Sequence, residues 1–168
     1  MMDLKTGDCF LVHRRTLLGK MIDVVETFWS KGDKCLYSHA GLIIHKGGTT
    51  LEVLQPRVAS QNFYEAYSRH QVMVVRYTEL TGEKLNKGIS RVYQHYGHLY
   101  PYWRLPLEGL RLAKFVHWNS VFCSELVAQF LWYVGARDYH WFGVDPEDLE
   151  EEFRHWKNYQ IIFEEKLP

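Results

Sequence analysis

Apolar residues recur along this chain with two different periods. Up to about residue 77 they form short runs bounded by Gly, Asp and Pro, and beyond it they fall mostly at helical spacing. Cys9 to His13 follows the turn signal Gly7-Asp8 and predicts a first strand. From Thr16 to Ser30 the residues Leu17, Leu18, Met21, Ile22, Val25 and Phe28 predict a helix, which Gly32-Asp33 ends. Strands are predicted over residues 38–45 and 50–55, joined through Gly47-Gly48, with a short helix near 61–69 and a strand over 71–77. Helices follow over 83–96, 121–134 and 146–155, separated by an aromatic loop around Pro101 and Pro106, and Tyr159 to Phe163 predicts an edge strand.

Strands in the first half and helices in the second predict an α+β architecture, an antiparallel sheet packed against helices. The chain has 168 residues, of which 46% are hydrophobic, enough to bury an ordinary core; no repeat or linker divides it, so one domain over 1–168 is expected. Twenty basic residues balance twenty acidic ones, which gives no footprint for nucleic acid or an anionic surface. Three cysteines, Cys9, Cys35 and Cys123, are too few for a disulfide framework. With no leader-like or membrane-length apolar run, a cytoplasmic protein without an integral membrane segment is expected, leaderless export staying open. No glycine-rich phosphate loop follows a predicted strand, and no cofactor is expected.

Chemistry concentrates at two short motifs. Phe122-Cys123-Ser124-Glu125-Leu126-Val127 opens a predicted helix behind Asn119 and Ser120, both good N-cap residues. Cys123 then falls in the first turn, where free N–H groups and the positive end of the helix dipole favour a thiolate and offer an oxyanion donor. The plain alternative is a small buried hydrophobe in an apolar helix. His39 lies in Ser38-His39-Ala40-Gly41-Leu42, a predicted strand whose small residues let another group approach closely. Strand alternation puts His39, Gly41 and Ile43 on one face and Ala40, Leu42 and Ile44 on the other. A cysteine helix and a histidine strand are the two elements a thiol hydrolase brings together, here with histidine first.

Taken with the leading Leu4-Lys5-Thr6-Gly7-Asp8, these motifs resemble the circularly permuted branch of the NlpC-type papain-like superfamily, often called YiiX-like and related to lecithin:retinol acyltransferase. The resemblance implies a permuted papain-like fold, Cys123 as nucleophile, His39 as base, and a third polar residue on the next strand, a position that Glu52 matches. Glu52 is also the only carboxylate in the apolar stretch Leu51 to Leu54. Its geometry raises a difficulty. With Gly47 and Gly48 as the two central turn residues, Glu52 would pair with Ile43, roughly 13 Å along the strand from His39, and direct contact would need a wider loop or a bulge.

The expected activity is cleavage of a peptide or cell-wall-type amide through a thioester. Lipid acyl transfer or thioester hydrolysis at the same site, and a non-catalytic binding module, are the alternatives; peptide, peptidoglycan-like or lipid acyl groups are the expected substrates. Cys35 and His39 have a metal-ligand spacing but straddle a loop and a strand, and no metal site is expected. The stretch Tyr96, Tyr100, Tyr102 and Trp103 with His95 and His98 around Pro101 could wall a substrate groove, but reads first as core and its rim. Tyr133, ten residues after Cys123, falls roughly 15 Å away on a continuous helix, outside the site.

Overall fold

The computed structural model describes residues 2–13, 36–100 and 121–168. The expected helix from Thr16 to Ser30, Cys35, the loop around Pro101 and Pro106, and Asn119 and Ser120 lie outside them. The described strands are β1 (Cys9–Val12), β2 (His39–His45), β3 (Thr49–Val53), β4 (Val58–Ala59), β5 (Gln71–Tyr77) and β6 (Tyr159–Lys166). The helices are α1 (Phe63–Tyr67), α2 (Gly82–Val92), α3 (Cys123–Tyr133) and α4 (Pro146–His155), and a 3-10 turn, Tyr93–His95, follows α2. The architecture is α+β, as the pattern predicts. Among the described residues no helix is long and apolar enough to cross a membrane.

One antiparallel sheet runs in the order β4-β3-β2-β1-β5-β6. β1 is central and buried along its whole length, which is why it reads as a continuous apolar run rather than an alternating one. Its alternate side chains enter two separate cores. Cys9 and Leu11 join Ala40, Leu42, Leu51, Met73 and Val75 under α3. Phe10 and Val12 join Ile43, Val72 and Val74 under Phe63 and Tyr67 of α1. The predicted alternation in β2 holds: Ile43 faces α1, while Ala40, Leu42 and Ile44 pack toward α3. The sheet is a wall with a helix on each side, and His39 stands at one end of it.

The helices owe their positions to a few local devices. Asn62 caps α1 by accepting from the N–H groups of Tyr64 and Glu65. Asp145 and Asp148 cap α4 reciprocally, with Pro146 at its first position. α2 packs closely against α3 at Gly88, where a Cβ would come within 2.6 Å of Val134 and 2.8 Å of Phe130. The turn before β1 is held by Asp8, whose carboxylate accepts Nε and Nη2 of Arg76 at 2.8 Å each.

α4 is fastened to the segment that follows α3 by a buried ion pair. Arg137 and Glu152 meet at 2.9 Å with side chains about 1% exposed. The Glu152 carboxylate also accepts from Tyr139 at 3.0 Å and Tyr159 at 2.8 Å, and the Arg137 guanidinium stacks on the Tyr139 ring. Desolvation of such a pair offsets much of its attraction, yet removing one partner strands the other charge in the interior. Glu152→Ala is therefore expected to lose about 3–5 kcal/mol of unfolding free energy in urea titration. Arg154→Ala, which breaks the exposed pairs to Glu150 and Glu164, is expected to lose about 1 kcal/mol or less.

Candidate active site

Cys123 is the first residue of α3 and is half-buried. The cap differs from the expected one. Phe122, whose side chain carries no capping oxygen, occupies the N-cap position, and Glu125 supplies the reciprocal half of a capping box, reaching back to accept the N–H of Phe122 at 2.9 Å. Its other oxygen accepts the N–H of Gly143 at 2.8 Å, and Ser124 Oγ donates to the carbonyl of Val144 at 2.7 Å. The Ser-Glu pair after the cysteine thus bolts the helix start to the 143–144 loop and fixes where the thiol points.

His39, the first residue of β2, is 5% exposed. Its Nε2 lies 2.6 Å from Oε2 of Glu52. Because an ionised carboxylate only accepts, Nε2 carries the proton of that bond, and Nδ1 remains for the Cys123 thiol, which hydrogen-bonds to the ring. The three residues named from sequence therefore come together in one chain of contacts, Cys123 to His39 to Glu52.

The difficulty over Glu52 is resolved by the hairpin. Thr49 pairs with His45, but Thr50 pairs with Ile43, so an irregularity between Ile43 and His45 shifts the register. Continued along the strands, that register sets Glu52 opposite Gly41 rather than Ile43. The tight turn expected at Gly47-Gly48 is corrected accordingly. Gly41 then clears the path: a Cβ there would lie 2.8 Å from Cγ of Glu52 and 2.3 Å from the Phe10 ring. The carboxylate crosses the vacant position diagonally to reach His39.

Sequence reasoning missed the groups that hold Glu52. The side chain is 0% exposed, and its carboxylate takes four donors. Thr50 Oγ1 at 2.5 Å and Gln61 Nε2 at 3.0 Å serve Oε1, while Tyr67 Oη and His39 Nε2 serve Oε2. Gln61 also donates to Tyr67 Oη at 3.1 Å. Thr50 was legible, since a residue two positions from Glu52 shares its face. Gln61 and Tyr67 come from the segment after β4, and no local signal joins them to β3.

These contacts set the charges. Burial alone would raise the pKa of Glu52, but the hydrogen bond and charge of His39 and the hydroxyls of Thr50 and Tyr67 bring it below the usual carboxylate value. Burial would lower His39, yet its bonds to Cys123 and Glu52 lift it to about 9. Burial would raise Cys123, and His39, together with the N–H groups of Ala40 and Ser124, brings it down. Both shifts run toward a thiolate beside an imidazolium. Cys9, by contrast, is buried in the apolar core and its thiol is pushed well up.

The remaining histidines and the aromatic stretch hold other positions. His95 bonds Gln129 at 2.9 Å, and His98, His140 and His155 are exposed. Tyr93 and Tyr96 stack at the surface, and Tyr100 packs edge-on against Phe122. Tyr102 and Trp103 lie outside the described residues. Tyr133 ends α3 under the guanidinium of Arg91.

No family model matches the chain, and no curated protein does. Among solved structures it is similar to the metalloprotein YiiX from Escherichia coli, with a TM-score of 0.58 and 18% identity over 98% of this chain and 88% of that one. The likeness is one of fold. It bears out an α+β, YiiX-like architecture and carries no residue roles. Nor do the residues here fit a metal: among those described, no group of three or more His, Cys, Asp or Glu side chains converges on one point. Both oxygens of Glu52 and Nε2 of His39 are already engaged.

Two outcomes follow from this geometry. Gly41→Ala forces a methyl group into Phe10 and Glu52, and its expected cost is about 1–3 kcal/mol in thermal or urea unfolding. Stability drawn from the charged His39 is fully present below about pH 6.5, its unfolded pKa, and is lost as pH rises through about 9. In Glu52→Gln that alkaline loss is expected at lower pH, read by NMR titration of the His39 ring.

Proposed function

We propose that this chain is a cysteine hydrolase that cleaves an amide bond, of a peptide or cell-wall type, through a thioester. The observation that carries the reading is His39 suspended between the thiol at the start of α3 and a fully buried, four-donor carboxylate. A buried charge of that kind has a structural cost, and orienting a base is a function that accounts for it.

In the proposed cycle the Cys123 thiolate attacks the substrate carbonyl carbon, and the carbonyl electron pair moves onto oxygen. Collapse of this intermediate restores the carbonyl and breaks the bond to nitrogen, with His39 giving its Nδ1 proton to the departing amine. Neutral His39 then takes a proton from water, whose hydroxide attacks the thioester. Breakdown returns the acid, the thiolate and the imidazolium. Glu52 keeps Nε2 protonated throughout, so Nδ1 alone exchanges protons. The relation to the permuted NlpC-type branch, and through it to lecithin:retinol acyltransferase, belongs to the same proposal; the order of histidine strand before cysteine helix supports it.

The test is alkylation of Cys123 by iodoacetamide between pH 4 and 9, followed by mass spectrometry of the modified peptide. Rapid labelling below pH 7 is expected in the native protein, and His39→Ala is expected to slow it at pH 6 by at least about 10-fold, as thiolate is lost. Labelling that rises only near pH 8.5, with or without His39, would overturn the reading. With an amide substrate in hand, Cys123→Ala should abolish turnover and Glu52→Gln should lower kcat by about 10²-fold or more, the range of a misdirected acid-base group.

A further inference from the structure

The β2–β3 ladder stops before it reaches the end of β2. Its paired positions run from His45↔Thr49 through Ile43↔Thr50 to Leu42↔Leu51. Beyond Leu51 the partners of β3 lie on its other side, where Glu52 pairs with Ala59 and Val53 with Val58. His39, Ala40 and Gly41 meanwhile keep their pairing to β1. The strands part at the point where α3 begins.

Parity decides which main-chain group faces the gap. The N–H of Ile43 donates to the carbonyl of Asp8, and its own carbonyl accepts from Gly7, both at 2.8 Å, so this residue turns its polar groups toward β1. Residues an even number away do the same, and Ala40, an odd number away, turns toward the side that β3 has vacated. Its N–H lies against Cys123 Sγ instead of a strand partner. A sheet amide has been released from the ladder and given to the thiol.

We infer that the main-chain N–H of Ala40 is, together with that of Cys123, a donor of the oxyanion hole. The inference rests on the acyl-transfer reading and deepens it. When sulfur bonds to the carbonyl carbon, negative charge leaves sulfur and appears on an oxygen attached to the same carbon, within about 3 Å of it, where a donor already at the thiolate can follow. Cys123, as the first residue of α3, supplies an N–H without an intrahelical partner. The two donors come from different elements, one from the helix face and one from the strand end. His39 and Ala40 are adjacent in sequence, so the strand that carries the base also carries the oxyanion donor. Ala40 is fully buried with a side chain of one carbon, consistent with a position whose main chain must be reached.

The test separates sulfur from oxygen. Alkylation by iodoacetamide needs a thiolate and forms no oxyanion; acylation by p-nitrophenyl acetate needs both. Replacing Ala40 with lactic acid by nonsense suppression turns this one N–H into an ester oxygen. Acylation is expected to fall by about 10²-fold, and alkylation at pH 6, which loses only this amide's share in holding the thiolate, by about tenfold or less. Equal losses in both rates, or no loss in either, would overturn the inference. If the ester protein does not fold, the native protein labelled with 15N-alanine and treated with propionaldehyde serves instead. Formation of the hemithioacetal is expected to move the Ala40 amide proton downfield, and carbamidomethylation is not; an unmoved resonance in the adduct overturns the inference. A native thiol that iodoacetamide fails to modify below pH 7 overturns the acyl-transfer reading first and the oxyanion hole with it, so the two failures are distinguishable.

Discussion

A carboxylate with no contact with water is the constraint around which this end of the molecule is arranged. Glu52 is the penultimate residue of β3, and both its neighbours in sequence enter the apolar core. An ionised group in such a place is tolerated only when every lone pair is occupied. Thr50 from the same strand, Gln61 from the segment behind β4, Tyr67 from α1 and His39 from β2 converge to occupy them. The path of the chain from β3 through β4 to α1 can be read as what brings those donors in. The histidine is then the one donor among the four that can also face a nucleophile.

The thiol is governed by a different balance. Burial and the imidazolium pull its pKa in opposite directions, and the imidazolium with two main-chain amides prevails. Each of those amides belongs to an element end, the start of α3 or the end of β2 from which β3 has parted. Regular structure consumes its own hydrogen bonds, so chemistry gathers where regular structure stops. Cys9 is the contrast. It lies inside a strand paired on both sides, and burial, with the charges of Asp8 and Glu152 added to it, pushes its thiol up.

Much of this was legible in the sequence because the relevant signals are local. Gln71–Tyr77 and Pro146–His155 match their patterns to the residue, the first from β-branched residues and the second from Asp145, Pro146 and Asp148. Cys123 at a helix start and His39 on a strand follow from their immediate neighbours. Register and long-range convergence were not legible. The irregularity between Ile43 and His45 is a choice among turns that the Gly47-Gly48 pair permits, and β4 is two residues long, too short for any periodicity. The N-cap was misjudged for a related reason: Asn119 and Ser120 are good caps in isolation, but the cap position falls at Phe122, whose N–H is held by Glu125 from inside the helix. Tyr67 looks like one more core aromatic until its hydroxyl is seen to end on Glu52.

The irregular turn between β2 and β3 carries a consequence for how this chain can vary. Surface loops ordinarily tolerate insertions and deletions, because changing their length costs little entropy and disturbs nothing beyond them. His45, Lys46 and Gly47 are exposed and look like such a loop. Yet the side-chain period of a strand is two, and a slip of one residue would carry Glu52 to the α3 side of the sheet and bring an apolar neighbour to the α1 side in its place. The length of this short exposed turn is therefore as tightly bound to the buried carboxylate as any residue that touches it, and a gap in an alignment here would signify more than a substitution.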